Sequence, residues 1–264
     1  MNKQQLYFLT FANSDYMKLD RIINQAKSFN MFDHYFGLNE NDIPDFIERH
    51  KEYINYYKTG FGTWIWKPKI ILDTLNKMDD NDILLYCDAG MYLNINGIER
   101  FKEYLNILNT TDNSLLTFST SEQYKAQCFV KNDAIMDYYP EFNNMMNIAN
   151  YAGIMLIKKN NKSIELIKDW LALCENYYFL DRSPSQKYPE LPHFIGNDFD
   201  NGLFNLCLAK HKISVSIYPD ETNLYSSDMM QLIHTNINYH NIDWSPLDKF
   251  PFQCRRMTPK FGYN

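Results

Sequence analysis

The sequence predicts an α/β fold, a Rossmann-like and mostly parallel sheet flanked by helices, with an irregular C-terminal tail. Two observations carry this expectation. Short apolar runs at residues 6–12, 83–87 and 151–157 alternate with segments of helical spacing, the pattern of strands covered on both faces by helices. The first two runs each break into polar residues, Asn13-Ser14-Asp15 and Asp88-Ala89-Gly90, at the sheet edge where open α/β folds bind ligands.

The elements follow in order. Residues 6–12 read as a buried strand. Leu19, Ile22, Ile23 and Ala26 have helical spacing, and residues 33–38 form a second short strand, which together make an opening βαβ unit. Pro68 suits the first position of a helix that presents Ile71, Leu75 and Met78 on one face, and Asp79-Asp80-Asn81 ends it. Residues 83–87 read as a central strand and 151–157 as another. Ile164, Ile167, Leu171 and Cys174 mark a helix ending near Glu175. Residues 181–196, rich in Pro, Ser and Tyr, read as a long surface loop, before a helix over 200–211 and a strand over 213–218. From Asp220 onward the periodicity is weak and Pro246, Pro251 and Pro259 interrupt it. The organisation expected is therefore a core over 1–219 and a tail over 220–264 packed on the same domain, with truncation before Asp228 leaving the domain folded.

Composition narrows the function classes. A chain of 264 residues with 45% hydrophobic content can bury a substantial core. No apolar run approaches the roughly 20 residues of a membrane span, which leaves only peripheral membrane contact open. The N-terminus has no leader-like segment, so the expected location is a cytoplasm, bacterial or that of a host if the source is viral. Five scattered cysteines without a C-x-x-C pair point to reduced core thiols rather than a disulfide frame or zinc site. A formal charge of −6 argues against nucleic acid as a partner.

Two segments carry chemistry. Gly60-Phe61-Gly62-Thr63-Trp64-Ile65-Trp66-Lys67-Pro68 sets two glycines, two tryptophans and one cation side by side, which suits a base or sugar together with a phosphate; tryptophans that simply pack into the core are the alternative. In Leu85-Tyr86-Cys87-Asp88-Ala89-Gly90 a carboxylate at a strand end can hold a divalent cation or a ribose hydroxyl, while Ala89 and Gly90 allow close approach to the backbone; a turn or helix cap is the plainer use of such an Asp. Asp200, near a predicted helix N-terminus with Asp198 beside it, could orient or deprotonate an acceptor hydroxyl, or serve only as a cap.

Together these segments, continued through Ala152-Gly153-Ile154-Met155-Leu156-Ile157, Asp169-Trp170-Leu171 and Asp200-Asn201-Gly202-Leu203-Phe204, resemble a family of GT-A glycosyltransferases from bacterial polysaccharide clusters and large DNA viruses. The resemblance implies transfer of a sugar from a nucleoside diphosphate sugar to a glycan or lipid-linked glycan acceptor, in polysaccharide, lipopolysaccharide or capsid glycan synthesis. The reading that follows has a base and ribose site near Phe11, Asn13 and Trp64, a diphosphate site at Lys67, Asp88 and Gly90, an acceptor near residues 181–200, and Asp88 and Asp200 as catalytic carboxylates. It also implies a divalent cation, Mn²⁺ or Mg²⁺. Many GT-A enzymes carry a second acid where this chain has Gly90, and complete the site with C-terminal groups, for which His234 as metal ligand and Arg255 and Arg256 on the diphosphate are the candidates. A nucleotide-sugar or glycan-binding protein without turnover and a viral DNA-base glycosyltransferase are the rival readings.

Overall fold

The structure is a computed structural model that describes residues 3–145, 147–223 and 242–257. Its centre is a six-stranded sheet in the order β2-β1-β3-β6-β5-β7, built from β1 (Leu6–Phe11), β2 (His34–Leu38), β3 (Ile83–Cys87), β5 (Leu115–Ser119), β6 (Asn150–Lys158) and β7 (Ser214–Ile217). A two-residue ribbon pairs β4 (Tyr92–Leu93) with β8 (Phe252–Gln253). The α/β class expected from the sequence is the class observed.

Alternation of side chains explains why these runs are apolar throughout. In β3, Leu84 and Tyr86 join one core with Leu9, Phe11, Trp66, Trp170 and Phe204, whereas Ile83, Leu85 and Cys87 join a second with Phe8, Phe101, Tyr104 and Phe252. The first core lies under the helices Trp66–Leu75, Asn161–Glu175 and Phe199–His211, the second under Asp20–Ser28 and Ile98–Thr110. A strand buried on both faces has no polar side to show.

Two readings need correction, and the sequence leaves the direction of one strand open. β6 runs antiparallel to both neighbours, β3 and β5, in an otherwise parallel sheet; apolar runs buried on both faces look alike in either direction, so periodicity carries no sign of it. The helix after the glycine segment begins at Trp66, leaving Pro68 in third position rather than first. Proline is accepted there because the first four N–H groups of a helix have no partner within it. The tail is also less dispensable than expected. Phe252 is fully buried against Phe101, Tyr104 and Phe118, and the N–H of Met257 donates to the carbonyl of Gly90 at 2.7 Å. No helix among the described residues is long and apolar enough to cross a membrane.

Candidate active site

The glycine segment folds into a left-handed turn. All five residues from Gly60 to Trp64 have positive φ, at 61°, 52°, 82°, 53° and 60°. Such a run is unfavourable for L-residues by about 1–2 kcal/mol each outside glycine, so its surroundings must hold it. Tyr53 and Thr63 share a buried hydroxyl hydrogen bond of 2.8 Å, and the Trp66 indole N–H donates to the Gly60 carbonyl at 3.0 Å. Glycine is needed at position 60, where a Cβ would meet the Trp64 ring at 2.4 Å. The turn aims Trp64 and the following Lys67 at the end of β3.

There the Lys67 ammonium lies between two carboxylates, 3.3 Å from Asp88 Oδ1 and 3.0 Å from Asp200 Oδ2. Only 4% of the Lys67 and Asp200 side chains is exposed, against 25% of Asp88. Asp88 is therefore the member that faces outward. Tyr86, two residues earlier on the same face of β3, donates its hydroxyl to Asp88 Oδ1 at 2.7 Å, and Tyr151 reaches Oδ2 at 3.4 Å. Tyr151 folds back this way because residue 153 is glycine, whose Cβ position falls 2.3 Å from the Tyr151 ring.

Asp200 comes from the first turn of the helix Phe199–His211, and its carbonyl accepts the Trp170 indole N–H at 2.9 Å. Burial is the main reason its carboxyl is pushed up to about 7; Lys67 opposes the shift, and Asp88 and Asp198 add to it. Burial also works against the charged form of Lys67, but Asp200 and then Asp88 outweigh it and raise the ammonium above its ordinary value. Asp198 is likewise raised by burial, against the pull of Asn201, Arg182, Lys67 and Arg256.

The remaining expected residues are placed as follows. Phe11 is buried and stacks on Trp66 with ring centroids 4.0 Å apart. Trp64 is half-buried, and Asn13 follows the end of β1 in a turn. Gly90 spends its carbonyl on Met257. Arg255 stacks over Tyr92 at 3.9 Å and Trp244 at 5.3 Å, while Arg256 is exposed. His234 lies outside the described residues. Three contributors were missed by sequence reasoning. Tyr86 is legible afterwards as the residue two before Asp88 on one strand face, whereas Tyr151 and Arg182 arrive from distant segments. The Arg182 guanidinium covers the Phe199 ring at 4.5 Å, and that ring is 6.0 Å from Trp64.

A divalent cation needs about six oxygen ligands. Asp88 Oδ1 is already engaged by Tyr86 and Lys67, leaving Oδ2 with its one long contact. Among the described residues no three His, Cys, Asp or Glu side chains converge to hold an ion. Of the two metal ligands the resemblance implies, Asp88 stands beside the Lys67 ammonium, which opposes a cation there, and His234 lies outside the described residues.

No family model matches the sequence and no curated protein matches it. Among solved structures, the chain is similar to a glycosyltransferase involved in the glycosylation of the major capsid of PBCV-1, at 11% identity and TM-score 0.48, covering 94% of this chain and 93% of that one. It is similar to mouse xyloside xylosyltransferase 1 in its apo form, at 12% identity and TM-score 0.44, covering 86% and 77%. The third is the apo WbbM bifunctional glycosyltransferase, at 10% identity and TM-score 0.46, where 96% of this chain spans 46% of that one.

Proposed function

We propose that the protein is a glycosyltransferase that moves a sugar from a nucleoside diphosphate sugar to a glycan or glycoconjugate acceptor. The observation that carries this reading is Asp88, a partly exposed carboxylate at the C-terminal edge of a central strand, oriented by Tyr86 and backed by buried Lys67. A carboxylate so fixed accepts hydrogen bonds from sugar or ribose hydroxyls without having to be ordered on binding. Trp64 adds an aromatic face, its ring 5.8 Å from the Lys67 ammonium, suited to the apolar face of a sugar. In the transfer, the bond from the anomeric carbon to the diphosphate oxygen breaks, one to the acceptor hydroxyl oxygen forms as that hydroxyl's proton is released to solvent, and fixed positive groups stabilise the departing diphosphate. Asp200, behind Lys67, acts by holding that ammonium in place.

The sequence resemblance supports the same reading. Its test is a thermal-shift screen of the full chain against UDP-, GDP- and dTDP-sugars. A donor present at about 100 times its dissociation constant stabilises the fold by roughly 2.7 kcal/mol. If none of these shifts the transition and none is consumed in the presence of glycan acceptors, the reading fails.

A further inference from the structure

The arrangement at β3 raises a question of charge. Lys67 carries one positive charge between two carboxylates, so the cluster as a whole does not attract an anion, and its ammonium is screened from solvent behind Asp88. A diphosphate directed at Lys67 would meet Asp88 first. A divalent cation on Asp88 would meet the opposite difficulty: it would sit beside a fixed ammonium, with a repulsion twice that between single charges.

Positive groups are present nearby, at the rim. Arg182 is exposed and lies over Phe199, the residue just before Asp200. Arg256 is exposed and precedes Met257, whose N–H is bonded to Gly90 two residues beyond Asp88. Both arginines, although from segments far apart in sequence, act electrostatically on the same buried carboxylate, Asp198. Guanidinium groups bind phosphate oxygens in pairs and stay charged at every physiological pH.

We propose that this site takes its donor without a divalent cation, with buried Lys67 as the built-in counter-ion of the Asp88 and Asp200 carboxylates and with Arg182 and Arg256 meeting the diphosphate. The inference rests on the donor reading above for its second half; its first half concerns the carboxylates alone. Lys67 then fills the place a metal would take between two acids, and Asp88 is left to receive hydroxyls.

Two measurements on the full chain separate these halves. The first is a Mn²⁺ titration of the nucleotide-free protein followed by electron paramagnetic resonance. Wild type is expected to leave the free-ion signal undiminished at millimolar Mn²⁺, and Lys67→Met, which frees both carboxylates, to bind the ion. Mn²⁺ bound by wild type overturns the Lys67 half, and that result stands even if Lys67→Met does not fold. The second is calorimetry of UDP and GDP binding in EDTA and in Mn²⁺. Affinities equal within about twofold are expected, with a loss of about tenfold or more in the Arg182→Ala, Arg256→Ala double variant, near 1.4 kcal/mol. Binding about tenfold tighter in Mn²⁺ overturns the proposal. If neither nucleotide binds in either condition, the donor reading and the role of the arginines fall together, while the Mn²⁺ titration still decides the role of Lys67.

Discussion

The Lys67 ammonium and the Asp200 carboxylate face each other at 3.0 Å with only 4% of either side chain exposed. Removing one partner of such a buried pair strands the other charge, at about 3–5 kcal/mol. Lys67→Met is therefore expected to lose about 3 kcal/mol of unfolding free energy at pH 8, and Lys67→Met, Asp200→Asn to recover most of it, as read by urea denaturation. The pH dependence has a definite sign. Asp200 is raised from 3.8 to about 7, so between those values the folded chain keeps a proton that the unfolded chain has released. Stability from this group falls as pH rises across that window, by about 4 kcal/mol in all, and levels off above it. Asp200→Asn should flatten the slope; an unchanged slope would reassign it to other groups.

Asp88→Asn preserves shape and an acceptor for the Tyr86 hydroxyl but removes the charge. Transfer is expected to drop at least about a hundredfold, the scale on which a fixed electrostatic group at a reaction centre acts, while the melting temperature stays near that of wild type. Initial rates measured beside a melting curve decide it, and near-native turnover would remove Asp88 from the site.

Gly60→Ala tests the left-handed turn. At φ 61° the added methyl is strained, and it would lie 2.4 Å from the Trp64 ring. A loss of about 2 kcal/mol of stability is expected, with weakened donor binding as Trp64 moves. Calorimetry on Trp64→Ala, expected to lose about tenfold in affinity or more, shows whether the ring itself is the cause.

Phe252→Ala tests how firmly the C-terminal segment belongs to the core. The ring touches Phe101, Tyr104 and Phe118 and has no exposure. Truncating a buried phenylalanine costs about 3–5 kcal/mol, and urea denaturation should show a loss in that range. A loss below about 1 kcal/mol would restore the picture of a dispensable tail.

The sequence alone determined the α/β class, β1, β2, β3, most of the helices and the strand-end position of Asp88, because burial on two faces and helical spacing are written in consecutive residues; the helix Ile98–Thr110 and β5 were not read from it. It also marked 60–68 as special, since two glycines so close together signal backbone that other residues resist. Tertiary structure alone decided the direction of β6, the stacking of Phe11 on Trp66, and the seating of Phe252. It also decided that Lys67, expected on a ligand, stands between Asp88 and Asp200. These depend on which distant segments meet, Lys67 with Asp200 and Asp88 with Tyr151, and spacing along a chain carries no record of such meetings. Exposure divides the cluster in the same way: Asp88 faces outward and Asp200 inward because one ends a strand while the other is packed beneath Trp170.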